Sequence, residues 1–448
     1  MQPMRRFLAL GAGTLLIVAA CSSGATATPV APKSATPSAT TAPASAVAPA
    51  SVAPVSAAPS GAVPSGVTIT IWDFFPPAPS PERDALVKVA NDWAAKTGNK
   101  VVDPGQIANA VDKFKLAAPS GQGPDIIMQP QDQEGGLVAA GLLAPVPSGL
   151  LTADEQAGYN PVSLTALTYK GALYGLPFAE ESYFLFYNKK LVSTPPTTWD
   201  ALKTQAQSLT HGGQYGFLWD TTNFYYDYAF IAGFGGYLFK LTPAGYDPSQ
   251  LGLTSAGSIQ GLSFIQGLTQ TEKLVPPATT TDIMEGEFSN GKAAMIIDGP
   301  WAVAGFKSKG IDFGVAPLPN LTSSQPMVPF VGIQGLYVSA KSPNQAAAWD
   351  LVKYLSQNAE APLYAASGRV PVLKALAQAN PVASDPVAQA VIHSASVGVP
   401  MPNVPAMSTV WTPMAAELQL LVNGRATPQA VAAGAEQKIK QAIAALGG

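Results

Sequence analysis

Between residues 67 and 128, apolar strands alternate with helices, and this alternation leaves few folds open to the chain. Val67-Thr68-Ile69-Thr70-Ile71-Trp72 alternates as a strand does. Ser80 then offers an N-cap with Pro81 at the first helical position, and the spacing predicts a helix to about Lys96, stopped by Gly98. Lys100-Val101-Val102 reads as a second strand, residues 108–118 as a second helix, and Pro124-Asp125-Ile126-Ile127-Met128 as a third strand. Strands separated by whole helices cannot be joined by tight hairpins. They need crossover connections, and so lie parallel in one sheet. The fold class is therefore α/β.

A second domain is expected to start near Phe184-Leu185-Phe186-Tyr187, followed by a helix that Thr198-Trp199-Asp200 opens and that runs to about Leu209. An aromatic patch, FLWDTTNFYYDYAF, fills residues 217–230. Helices near 255–271 and 283–290 lead into FSNGKAAMIIDGPWAVAGFKSKGIDFGVAPLP at 288–319. There Gly291-Lys292 closes a helix, Ala293-Ala294-Met295-Ile296-Ile297 is a buried strand, and Asp298-Gly299-Pro300 breaks it just before Trp301. A tryptophan on a turn beyond a strand's carboxyl end stands where open α/β sheets bind ligands, although a lone tryptophan serves as well to fill core. The chain then crosses back through 330–340, a helix at 344–355, and final helices near 415–422 and 428–446.

With 448 residues there is room for two domains with sizeable cores. A net charge of -3 and only 12% charged residues argue against a nucleic-acid partner or a basic membrane-binding face. The single cysteine rules out a disulfide within the chain and a zinc site of paired cysteines. A short basic stretch to Arg6, an apolar run at 7–20 and Val18-Ala19-Ala20-Cys21 read as an export signal over residues 1–20. The pattern resembles a bacterial lipobox, which implies lipidation at Cys21 and a folded part held at the outer face of the cell membrane. From Cys21 to about residue 66 the chain is almost wholly Ala, Pro, Ser, Thr and Val, with Lys33 its only charge. Such a segment cannot bury enough surface to offset its chain entropy, and it reads as an extended tether.

The GPWA segment at 299–302 resembles the maltose/maltodextrin-binding proteins, extracellular receptors of ABC importers. So do GPDII at 123–127, YKGALYGLPFAEESYFLFYNKKL at 169–191, PPTTWDAL at 195–202, FVGIQGLYVSAKSPNQAA at 330–347 and MPNVPAMSTVW at 401–411, in the same order. The resemblance implies a two-lobed periplasmic-binding-protein fold of type II with discontinuous domains and a hinge. It places one lobe at 67–180 plus 330–375 and the other at 181–329 plus 376–448. It also implies an oligosaccharide ligand, membrane permease subunits as partners, a monomer, and no cofactor. By the same resemblance Trp301, Trp411 and Tyr225 stack or pack on sugar rings, with Tyr226 and the weaker Trp72 as further aromatic candidates. Asp132 and Glu181 align with ligand carboxylates, while Gln129, Gln131 and Asn223 are further polar candidates. Several positions depart from the pattern. Met128-Gln129 stands where an aromatic is usual, Gln133 for an arginine, Pro76-Pro77 for an Asp-Lys pair, Asn223 for a glutamate and Thr281 for a tyrosine. The sugar is therefore open, with trehalose or another oligosaccharide as alternatives to maltodextrin.

Enzyme readings are weaker. Gly286 to Lys292 has the spacing of a phosphate-binding loop, but Ala293 replaces the Mg²⁺-holding hydroxyl and the helix precedes the strand. His211 and His393 have no serine or cysteine elbow beside them. A glycosidase would need two carboxylates facing one bond, about 5–10 Å apart. Glu180 and Glu181 should point apart on an extended strand, and Asp125 is expected to be structural. A receptor for a peptide or polyamine would be expected to carry more paired charges in its cleft.

Overall fold

The computed structural model describes residues 64–446 apart from 243, 244 and 278. The expected export signal, Cys21 and the tether up to residue 63 lie outside the described residues. In chain order the strands are β1 (Thr68–Trp72), β2 (Lys100–Val102), β3 (Ile126–Pro130), the short pair β4 (Thr168–Tyr169) and β5 (Ala172–Leu173), β6 (Gly175–Glu181), β7 (Phe184–Asn188), the pair β8 (Phe239–Thr242) and β9 (Gly245–Leu251), β10 (Met295–Asp298), β11 (Phe313–Ala316), β12 (Phe330–Val338) and β13 (Val399–Pro400).

The predicted crossover unit is present. β1 pairs in parallel with both β2 and β3, and the helices Pro81–Thr97 and Ala110–Ala117 connect them. Ser80 caps the first helix by accepting from the Arg83 amide, and Gly98 ends it at a φ of 72°, a left-handed conformation that favours glycine. β12 then extends the sheet, running antiparallel to β3 and β6 and parallel to β13. All nine residues of β12 and all seven of β6 are buried, because the sheet is covered on both faces. One face carries Ile69, Ile71, Trp93, Phe178, Leu336 and Trp349; the other carries Phe114, Ile127, Ile333 and Tyr337.

A second sheet, β10-β7-β11, is antiparallel throughout. Its core is dense in rings: Phe184, Phe186, Trp199, Phe217, Trp219, Phe230 and Phe288 are all buried. The large sheet gives way to the small one between Glu181 and Phe184, across Ser182-Tyr183. That crossing is stitched down. The Ser182 hydroxyl donates to the Phe330 carbonyl and the Ser394 hydroxyl to the Tyr183 carbonyl, both at 2.9 Å. Among the described residues no helix is long and apolar enough to cross a membrane.

Candidate functional site

A cleft of about 260 Å³ opens where the carboxyl ends of β3 and β6 meet the helices of the second core. Asp132, Glu181, Gln334 and Met401, just beyond β13, line it from the large sheet; Tyr225 and Trp411 line it from the opposite side. Pro130 also lines an adjoining cavity of about 260 Å³, shared with Phe74, Asn109 and Gln129. Together they place flat faces against hydrogen-bonding groups.

Asp132 follows β3 on a short turn and is 5% exposed. Its Oδ2 accepts from the Trp411 indole at 3.2 Å and from the Gln133 amide at 2.6 Å, while Oδ1 has no partner. Burial pushes its pKa up to about 6, against the hydrogen bonds that favour the anion. A buried carboxylate oxygen without a donor is ready for a ligand hydroxyl. Gln129 is similar: 1% exposed, with neither amide atom hydrogen-bonded.

Glu181 is held from two sides. Arg369 donates to its Oε1, and the Gln334 amide donates to Oε2 at 2.7 Å. Arg369 also donates to Glu82 at 2.7 Å and lies over the rings of Phe74 and Phe75, 5.2 and 5.3 Å from their centroids. Neither Arg369 nor Gln334 was singled out from the sequence. The strand's two-residue period turns Glu180 the other way. Its Oε2 accepts from Asn160 at 3.0 Å, and burial raises its pKa to about 7. Glu180 lines a larger cavity, about 660 Å³, whose wall is aliphatic and polar and includes none of the candidate aromatic residues. The flat rings of Tyr225 and Trp411 line the smaller opening instead.

On the aromatic side, Tyr225 packs edge-on to Tyr183 with centroids 4.9 Å apart, and Trp301 lies 6.1 Å away at 54°. Trp301 is 36% exposed on the turn after β10. Trp411 opens the helix Trp411–Val422, partly exposed, with Phe224 packed edge-on at 6.2 Å. Tyr226, expected to offer a ring, is 3% exposed and donates its hydroxyl to Asp298 at 3.0 Å; the helix turns it inward.

Three further candidates have other employment. Gln131 is fully buried, its amide donating to the Val331 carbonyl and accepting from the Ile333 amide, so it is spent on the β12 backbone. Asn223 caps the helix Phe224–Gly233 through the Tyr225 amide at 3.1 Å. Trp72, at the end of β1, packs against the Phe114 and Ile127 core face. Asp125, half of a conceivable acid pair, accepts from the Thr70 amide, Ser342 and Asn344, an anchoring role. Among the described residues no group of three or more His, Cys, Asp or Glu side chains could hold a metal ion.

A model of the family described as bacterial extracellular solute-binding protein matches residues 88–390. The galactooligosaccharide-binding protein of Bacillus subtilis is 32% identical over 355 residues, 78% of this chain and 83% of that protein. A maltooligosaccharide ABC transporter solute-binding lipoprotein of Streptococcus pneumoniae is 30% identical over 374 residues, 80% of this chain and 86% of that protein. Among solved structures, the maltose-maltodextrin binding protein of Alicyclobacillus acidocaldarius superposes with a TM-score of 0.77 at 33% identity, covering 83% of this chain and all of that one.

Proposed function

The chain belongs to the bacterial extracellular solute-binding protein family, and from that premise we propose that it is the receptor of a carbohydrate ABC importer, taking an oligosaccharide between two lobes. What carries the reading is the convergence of Asp132, Glu181, Tyr225 and Trp411 on one cleft. Pyranose rings present apolar C–H faces and equatorial hydroxyls. Aromatic planes suit the first and partly satisfied carboxylates the second. Trp301, beside Tyr225, extends the platform.

On this reading the lobes are those the family resemblance implies, 67–180 plus 330–375 and 181–329 plus 376–448, and the three crossings between them, at 181–184, at 319–330 and near 375, act as the hinge. Sugar favours the closed arrangement because it touches both walls only there, and closure makes a composite surface for membrane permease subunits. The molecule is a lipid-anchored monomer tethered through Cys21. It releases its ligand unchanged: Glu180 and Glu181 face opposite sides of β6, and Asp125 is bound into the fold, so neither acid pair considered from the sequence is aimed at one bond.

Gln129, Asn223 and Thr281, at positions where the maltodextrin binders carry other side chains, leave the sugar to experiment, and relatives bind both galacto- and maltooligosaccharides. Calorimetric titration with maltotriose, longer maltodextrins, trehalose and galactooligosaccharides is expected to give saturable heat for at least one. Flat heats throughout would overturn the reading. A reducing-end assay on the same sugars is expected to stay at background.

A further inference from the structure

Asp298 ends β10 directly before the turn that carries Trp301, and it is fully buried. Its Oδ1 accepts from the Gly299 amide at 2.8 Å and the Tyr226 hydroxyl at 3.0 Å, while Oδ2 has no partner of ordinary geometry. Two groups face the carboxyl there: the Trp301 side chain and the carboxyl of Glu285, on the helix Thr281–Ser289. The six-membered ring of Trp301 folds over Gly299 so closely that a Cβ there would come within 2.1 Å of it. Asp298 and Gly299 therefore form a seat under the indole.

The charges around the seat are all acidic. Glu285 has Asp282 near it, and the helix Phe224–Gly233 brings the phenols Tyr225 and Tyr226, while its Asp227 is held elsewhere by the Trp219 indole. Two adjoining carboxyls without a cation between them cannot both ionise cheaply in a buried site. Burial first, then the charge of Glu285, holds Asp298 well above the ordinary carboxylate range, and burial raises Glu285 as well.

We propose that Asp298 is a positioning residue for Trp301, sharing one proton with Glu285 so that the indole stays seated on Gly299 with its outer face free for a sugar ring. This rests on the reading of Trp301 as a sugar platform. While the proton is held, the two carboxyls share it through the bare Oδ2, and Oδ1 keeps its bonds from the Gly299 amide and the Tyr226 hydroxyl, which fix the turn under the indole. When the proton leaves to solvent, two anions repel, Glu285 swings outward and the seat loosens. Sugar affinity therefore falls as pH rises through the titration of the pair. Tyr225 and Tyr226 stay protonated across that range, because burial holds both above the usual phenol value.

The test uses the soluble receptor, the variants D298N, E285Q, G299A and W301F, and near-ultraviolet circular dichroism without ligand between pH 6 and 9.5. The wild type is expected to show a step in the indole signal, identified by its absence in W301F; D298N and E285Q are expected to lose the step. G299A is expected to alter the signal at every pH. Calorimetry with the best sugar of the panel should then show at least tenfold weaker binding by wild type at pH 9.5 than at pH 6.5, and less than twofold change for E285Q. Glu285 is only partly buried, so E285Q keeps the test informative if D298N folds poorly. A step that persists in both amide variants, or a wild type without one, overturns the proposal. So does W301F binding sugar as the wild type does. If no sugar binds at all, the functional reading fails, while the ligand-free step still decides whether the seat exists.

Discussion

Asp132 carries a cost that the ligand is placed to repay. Its pKa of about 6 lies above the value of an exposed aspartate, so the native state holds the proton more tightly than the unfolded chain does. The contribution of Asp132 to stability is then fully present below pH 4 and declines as pH rises toward 6, by about 3 kcal/mol in all. Sugar hydroxyls donating to the bare Oδ1 favour the anion. On this acid limb, affinity should accordingly be full near pH 7 and fall about tenfold per unit below pH 6. Calorimetry at pH 7 and 5 checks this limb; D132N is expected to be flat across it, and a flat wild type would contradict it. Trp411→Ala removes both a stacking face and a donor to Asp132, and should weaken binding by about 1–3 kcal/mol, roughly five- to 150-fold. Folding stability should change far less, since the ring is partly exposed. Asp132 and Trp411 were legible because each stands beside a motif that strand and turn chemistry make conspicuous. Arg369 was not. Its partner Glu82 lies 287 residues away, and no local pattern says which cation a distant fold will bring to a carboxylate.

Elements were read best where periodicity and caps agree, as in the helix Pro81–Thr97, and less well where local signals conflict. The helix foreseen over 255–271 is α-helical only over Ala256–Gln266 and continues as a wider π turn through Gly267–Thr271. β6 and β12 are buried along their whole length, and nothing in their local pattern announces their antiparallel pairing. Glycines inside helices test how far packing overrides propensity. A Cβ at Gly261 would lie 2.6 Å from the Ile231 backbone, where two helices cross, whereas Gly286 has nothing within 4 Å. Gly261→Ala should cost about 1–3 kcal/mol despite its better helix propensity. Gly286→Ala should stabilise by about 0.5–1 kcal/mol. Urea unfolding of the two variants gives opposite signs if the crossing is as close as described, and equal signs would refute it.

At the scale of the molecule, the discontinuity of the chain could not be derived from periodicity, because a strand does not announce which sheet it joins. Only likeness to a family suggested that 330–340 returns to the first sheet, where β12 lies between β3 and β6. The return creates a junction that one side chain spans. Arg369 ties Glu82, in the helix after β1, to Glu181, the last residue of β6 before the crossing into the second core. All three are nine-tenths or more buried. An ion triad of this kind adds little over a well-packed apolar cluster, since each charge has lost its water, but removing one member strands the others. Arg369→Met should therefore cost about 3–5 kcal/mol, as two buried carboxylates lose their cation. The triple variant Glu82→Gln, Glu181→Gln, Arg369→Met should recover much of that stability, because no charge is left unpaired. It should not recover sugar binding, since Glu181 would no longer be an oriented anion in the cleft. Chemical unfolding and calorimetry on the single and triple variants separate these effects. If the triple variant is no more stable than Arg369→Met alone, the junction is held by packing on Phe74 and Phe75 rather than by charge.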